Sequence, residues 1–191
     1  MAEKQNSSKE KLIIAMASLI LQKGFANTSP KDILAQSNVG QGSFYHHFKG
    51  KEDLALHAIR HNCNKLVKAN QDILEGEGTA FDKLSKILTQ PRDINQGCLI
   101  GQMAKDKSIM ERPLLAKEIT KNFKLIKDMI YNLIQTGISE GSINTRLSTL
   151  EATALVISVL QGAYVTAQGL QDNDYFSLST NAVLELFRPI K

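Results

Sequence analysis

Asn38-Val39-Gly40-Gln41-Gly42-Ser43-Phe44-Tyr45-His46-His47-Phe48-Lys49-Gly50 is the stretch on which the reading of this 191-residue chain turns. Asn38-Val39-Gly40 ends whatever helix precedes it, with Val39 as the apolar plug of a tight turn. Gln41 to Phe48 is then long enough for two helical turns and is closed by Lys49-Gly50. Phe44 and Phe48 stand four residues apart, so both face one core. Tyr45, His46 and His47 lie around the rest of the short helix with hydrogen-bond donors to spare. Upstream, Ser29-Pro30-Lys31-Asp32 is a helix start, with Ser29 as cap, Pro30 in the first turn and Asp32 completing a capping box. That helix buries Ile33 and Leu34 and breaks at Asn38 after about two turns.

Further out, Leu12, Ile13, Met16, Leu19 and Ile20 recur at three- and four-residue spacing, predicting a helix over 8–23 that stops before Gly24. Lys51 opens another helix, with Glu52 and Asp53 on its positive dipole end, running to about Leu74. A long helix, two short ones and a tight turn between the short pair make a helix-turn-helix plan. In that plan the second short helix lies in the major groove of DNA with its first residues on base edges. Gln41 there can read adenine in bidentate fashion or touch a phosphate; Tyr45, His46 and His47 suit phosphates. Gly40 and Gly42 permit close backbone approach, and Lys51 adds its charge to the next helix start.

The remainder is helical by the same periodicity. Phe81, Leu84, Ile87 and Leu88 carry a stripe up to Pro91, and a helix is expected from about Gly97 to Lys107. Pro113 opens the region of a long stripe, Ile119 to Leu133, ending near Gly141. Ser148-Thr149-Leu150-Glu151 is a capping box opening a helix to about Gly169, and a last helix is expected over 177–187. No strand-period alternation is long enough for a sheet. The expected fold is all-α: an N-terminal three-helix helix-turn-helix DNA-binding domain in residues 1–50, and a C-terminal helical ligand-binding and dimerisation domain in 51–191.

Charge placement agrees with that division. The chain is 42% hydrophobic and carries a net +4. Residues 1–68 hold ten Lys/Arg against five Asp/Glu, whereas residues 69–191 hold thirteen against fourteen. A basic front on a near-neutral body suits a polyanion at one end. Met1 to Glu10 is polar and mixed in charge, unlike a signal or transit peptide, and no apolar run approaches the roughly 18–20 residues of a membrane span. Two cysteines are too few for a disulfide scaffold, so a cytoplasmic location is expected. Neither a nucleophile elbow nor a phosphate-cradling glycine loop is present, and no catalytic residue or cofactor is expected.

Gly24-Phe25, Thr28-Ser29-Pro30-Lys31-Asp32-Ile33 and the stretch from Asn38 through Phe-Tyr-His-His-Phe to Gly50-Lys51-Glu52-Asp53-Leu54 resemble the DNA-binding domain of TetR-family transcriptional regulators. The likeness covers about residues 8–55; beyond it only the helical architecture is shared. It implies a homodimeric repressor released from a near-palindromic operator by a small ligand. It also implies DNA contacts from Ser29, Gln41, Tyr45, His46 and Lys51, with Thr28 and His47 as further transfers. Asn38 stands where the family usually has Gly, and Gly40 and Gly50 replace serines, so two side-chain phosphate contacts are either missing or supplied by backbone N–H groups. The Gly97-Cys98-Leu99-Ile100 segment resembles one in a branch of the family that includes electrophile and oxidant sensors.

Outside the front domain the sequence leaves alternatives open. Cys98 is either a small buried apolar residue or a thiolate activated by a helix start. His57 and His61 share a helix face at i, i+4 but make only half a metal site, so no metal is expected. Cys98, Met103, Phe123 and Tyr164 are the candidate ligand-pocket residues, on helices that either surround an apolar pocket or form solid core. The helices near 115–140 and 148–169 are the candidate dimer interface. Ala152, Ala154, Ser158, Gly162, Ala163 and Ala167 on the second of them let backbones approach. The alternative from another class is a helical small-molecule-binding or protein-interaction module that does not bind DNA.

Overall fold

The computed structural model of the chain describes residues 7–189. Residues 1–6, most of the polar stretch discussed above, and residues 190–191 lie outside the described residues. The described residues form ten helices and no strand: α1 Ser8–Lys23, α2 Pro30–Ser37, α3 Gln41–His47, α4 Lys51–Glu75, α5 Ala80–Thr89, α6 Leu99–Lys105, α7 Lys107–Met110, α8 Pro113–Glu140, α9 Thr149–Leu170 and α10 Asp174–Leu186.

Local chemistry sets most of the boundaries. Ser29 Oγ accepts from the Asp32 amide at 3.2 Å while the Ser29 amide donates to Asp32 Oδ2 at 2.7 Å, the reciprocal box that starts α2. Thr79 with Asp82 and Ser148 with Glu151 repeat the device at α5 and α9. Asn38 ends α2 in the left-handed region, with φ 51°, a conformation that Asn tolerates because its short side chain can bond locally.

Three expectations need correction. The helix expected over 97–107 is two short ones. Gly97 is left-handed at φ 68°, which holds the start back to Leu99, and Asp106 interrupts the run by accepting from the Ser108 amide at 2.9 Å to cap α7. The last helix starts at Asp174 rather than Ser177, because the Asp174 amide bonds Asp172 Oδ1 and the turn winds earlier. Finally, α9 is long and apolar enough to cross a membrane by length and composition alone. Interleaved Ala, Gly and Val raise its mean hydropathy without a continuous run of large apolar residues. Ala152, Val156, Ala163 and Ala167 pack it into protein.

The chain divides into two compact units, with the division falling inside α4 and α8. The first runs through Leu66 and includes Leu99–Asn122. In it, α1 packs against α2, α3 and α6. Leu12, Met16, Ile33, Phe44, Phe48, Leu54 and Ile59 are buried there, so the two phenylalanines face inward as their spacing requires. Burying a phenylalanine side chain contributes roughly 1.5–3 kcal/mol, which makes this pair the main anchor of so short a helix. The second unit comprises Val67–Cys98 and the chain from Phe123 onward. There α9 and α10 pack as a pair and α5 joins α10, around Leu84, Ile87, Leu88, Ile130, Ile134, Val156, Val183 and Phe187.

Candidate nucleic-acid interface

With Phe44 and Phe48 buried, the helix α3 must turn its other residues outward. Tyr45 is 59% exposed, its ring edge-on to Phe44 at 5.0 Å, so its phenol tip is carried on a fixed apolar body. Gln41, Gly42 and His46 are exposed and His47 is half-buried. The His46 and His47 rings meet edge-on at 4.9 Å, closer than their divergence on the helix suggested. They gain no third ligand, since no group of three His, Cys, Asp or Glu residues is placed to hold a metal among the described residues. Gly40 caps α3 with extended backbone and no side-chain bond. A Cβ built on Gly40 or Gly42 would meet nothing within 4 Å, so this face is bare backbone open to a partner.

The turn between α1 and α2 completes the surface and alters two of the sequence assignments. Thr28 is fully buried and its Oγ donates to the Gly24 carbonyl at 2.8 Å. Its hydroxyl is therefore committed to the turn and does not face a phosphate. Ser29 is exposed, but its hydroxyl donates to Asp32 Oδ2 at 2.6 Å within the capping box. Asp32 also pairs with Lys23 at 2.9 Å. The Ser29 hydroxyl and the Lys23 ammonium hold the Asp32 carboxyl well below the usual carboxylate range. Lys51 is half-buried; its Nζ sits 4.2 Å from the Phe25 ring centroid and donates to the Ala26 carbonyl at 3.4 Å. Burial and, after it, the Arg112 charge push the Lys51 ammonium down, opposed by Asp106 and Asp32. Its charge is delivered from a fixed seat, which costs less ordering entropy than a free lysine arm.

That seat is built partly by residues the sequence reading did not single out. Arg112 covers the Phe25 ring at 4.6 Å and pairs with Glu52 at 3.6 Å. Asp106 Oδ2 accepts from the Phe25 amide at 2.8 Å. The signal was faint: Asp106-x-Ser108 reads as a helix cap, but nothing local indicates that its other oxygen reaches back 81 residues along the chain.

The remaining candidates separate. His57 pairs with Asp53 at 3.9 Å and sits edge-on to Phe48 at 5.5 Å. His61 has its Nε2 buried without a hydrogen-bond partner. Burial and Lys65 push its imidazole down, with Glu10 opposing. Cys98 and Tyr164 belong to one cluster with Ile94, Ala163, Ala167 and Phe176. In that cluster Cys98 Sγ accepts from Gln161 Nε2 at 3.1 Å, and Arg92 donates to the Tyr164 hydroxyl at 3.3 Å. Burial pushes the Tyr164 phenol up, and the Arg92 charge opposes it. Met103 is buried in the first unit instead, and half-buried Phe123 begins the second stretch of the other unit, outside that cluster.

Comparisons with known proteins follow the same outline. Residues 12–58 match the family of bacterial regulatory proteins named tetR. The fatty acid metabolism regulator protein of Bacillus subtilis is 24% identical over 180 residues, covering 92% of this chain and 91% of that one. The transcriptional repressor NemR of Escherichia coli is 28% identical over 101 residues, 52% of this chain and 50% of that one. Its reduced-form crystal structure superimposes with a TM-score of 0.83 at 20% identity, covering 96% and 98% of the two chains. A transcriptional regulator from Cytophaga hutchinsonii gives 0.84 at 18% identity over the whole of both chains.

Proposed function

The chain belongs to the TetR family of transcriptional regulators, proteins that are not enzymes, and we propose that it acts as a homodimeric repressor that leaves a near-palindromic operator when a small molecule or electrophile binds. Residues 1–50 are the DNA-binding domain in this reading and residues 51–191 the ligand-binding and dimerisation domain, in a cytoplasmic protein. Gly40, Gln41, Gly42, Tyr45, His46 and His47 meet the duplex from α3, with Ser29 and the seated Lys51 beside them. The observation that carries the proposal is the exposure of Tyr45 between two buried phenylalanines. A large side chain held in solvent on a rigid base suits a partner surface, and the absence of carboxylates from α3 suits an anionic one.

Pairing two such heads is supported by the solvent faces of α9 and α10. On α9, Ala154, Ser158, Gly162, Val165 and Gly169 are exposed without a charge among them, and on α10 Leu178, Ala182 and Leu186 follow at four-residue spacing. Leu178 and Leu186 are each 64% exposed. By contrast, the exposed face of the first half of α8 carries Lys117, Lys121, Lys124 and Asp128, which are costly to desolvate, whereas over 131–139 it is uncharged. We therefore assign the interface chiefly to α9 with α10, ahead of the helix near 115–140. For the effector, the Cys98, Tyr164, Arg92 and Gln161 cluster supplies a polarisable sulfur and hydrogen-bonding groups in an apolar setting.

The test is a mobility-shift titration on the DNA upstream of the protein's own gene, at two salt concentrations and with random competitor. A repressor dimer shifts that DNA at least about a thousandfold more tightly than competitor, in keeping with the usual ratio of specific to non-specific binding. Equal affinity for both would leave the chain as a helical module without operator recognition. Cys98→Ser tests the electrophile route: operator release by quinones should be lost, and undiminished release would exclude that thiol.

A further inference from the structure

The end of α1 and the helix α6 enclose a cleft of about 320 Å³ within the first unit. Ile20, Leu21 and Met103 make an apolar floor, and Lys23, Lys105 and Asp106 stand at its polar side. The volume falls in the range that small-molecule sites occupy, and apolar lining with a few convergent polar groups is their usual composition.

The ionic groups at the rim are not equivalent. Lys23 is already paired with Asp32 at 2.9 Å. Asp106 is saturated: Oδ2 takes the Phe25 amide at 2.8 Å, and Oδ1 takes the Ser108 amide at 2.9 Å and its hydroxyl at 2.5 Å. Lys105 is exposed and, among the described residues, makes no ion pair. Of the charged groups lining the cleft, the one left to recognise a ligand is thus a cation beside an apolar floor, with the side chains of Gln22 and Gln102 also in the lining.

We propose that this cleft binds a small monoanion with an apolar body, a carboxylate being the simplest, with its charge on Lys105 and its body against Ile20, Leu21 and Met103. The position gives such a ligand a route to the DNA-binding surface. Asp106 adjoins Lys105 and holds the Phe25 amide, and Phe25 is the ring on which Lys51 sits. The approach is close: a Cβ on Gly24 would lie 3.2 Å from Asp106 Oδ2. A second carboxylate beside Asp106 repels it, so the ligand favours the state in which Asp106 has released Phe25 and Lys51 has lost its seat. Differential affinity for the two states is what lets a ligand shift them. Only this regulatory consequence rests on the operator-binding reading above; the binding itself does not.

The experiment titrates the full chain with cyclohexanecarboxylate and, as an uncharged control, cyclohexanecarboxamide, reading binding by calorimetry and location by the Met103 and Ile20 methyl resonances. The carboxylate should bind about tenfold more tightly than the amide, the gain expected of a charge-assisted bond. Lys105→Gln, at an exposed site that leaves the fold intact, should abolish that preference. No methyl shift at about 10 mM carboxylate, a preference that survives Lys105→Gln, or shifts centred on Tyr164 and Phe176 would each overturn the site. A shift assay on the upstream DNA with saturating carboxylate is the second arm. Weaker binding supports the coupling, and unchanged binding overturns it. A protein that fails to shift DNA even without ligand refutes the operator-binding reading instead, and the calorimetric result stands.

Discussion

Helices α3 and α9 expose very different surfaces, although both leave much of their length uncovered. Seven-residue α3 buries one side chain, Phe44, and shows solvent an amide, a phenol and imidazoles. Twenty-two-residue α9 shows alanine, glycine, serine and valine, with its single carboxylate used up in the Ser148 capping box. Exposed donors on a rigid short helix suit a partner rich in acceptors. An exposed, charge-free stripe of small residues suits another helix, where close approach replaces hydrogen bonding as the source of contact. The difference teaches that exposure alone does not identify a partner; the chemistry of what is exposed does.

The largest expected effect attacks the footing of α3. Phe48→Ala removes a fully buried ring and should destabilise the head by about 3–5 kcal/mol, read as a lowered denaturation midpoint and complete loss of operator binding. Should the midpoint stay put, α3 is not held by its phenylalanines and the contrast with α9 fails. Next, Gly162→Arg places a charge on the α9 stripe where a Cβ meets nothing in the protein. Burying that unpaired charge in a dimer should cost roughly 3–5 kcal/mol of association. Sedimentation would then report a folded monomer, whereas an unchanged dimer would move the interface off α9. Gln41→Ala sharpens the α3 side: loss of a bidentate base contact should cost about 1–3 kcal/mol at a single base pair. A uniform loss on all sequences would make Gln41 a phosphate contact. Smaller still, Lys51→Ala should reduce the salt slope of binding by about 0.9, one phosphate's worth.

The smallest effect is a pH dependence shared by both helices' units. Asp32, Asp82 and Glu151 are all held below the usual carboxylate range, chiefly by the Ser29, Thr79 and Ser148 hydroxyls they accept from. A carboxyl with a depressed folded pKa stabilises the fold above its unfolded value, near 3.9 for Asp and 4.3 for Glu. That contribution drains away as pH falls through the folded value. These carboxylates therefore leave stability flat down to about pH 5 and make it decline below that, while His61, pushed down by burial, adds a decline that begins near its unfolded value of about 6.5. Ser148→Ala should flatten the decline, and an unchanged acid profile would show that the α9 box contributes nothing.

How much of this was legible beforehand depends on range. The limits of α1, the boxes at Ser29 and Ser148, the inward phenylalanines and the break at Asn38 are all decided within four residues, and the sequence reading has each of them. Thr28 was misread because its hydroxyl is captured by Gly24, a turn contact that competes with any phosphate. Lys51 was read as an open charge because its ring partner, Phe25, lies two helices back along the chain, before α2 and α3. Asp106 and Arg112 were missed altogether, since their contacts to Phe25 and Glu52 join distant segments. Grouping Cys98, Met103, Phe123 and Tyr164 was beyond the sequence for the same reason: apolar periodicity says that Met103 is buried, not which neighbours bury it.

The bare backbone at Gly42 turns one methyl group into a depth gauge for the bound duplex. Within a helix, exchanging glycine for alanine ordinarily firms the fold by roughly 0.5–1 kcal/mol, and here the added carbon collides with no atom of its own molecule. Any penalty that Gly42→Ala imposes on operator affinity is then steric and belongs to the nucleic acid, and stepping from alanine to serine to valine would measure how deep in the groove α3 rides.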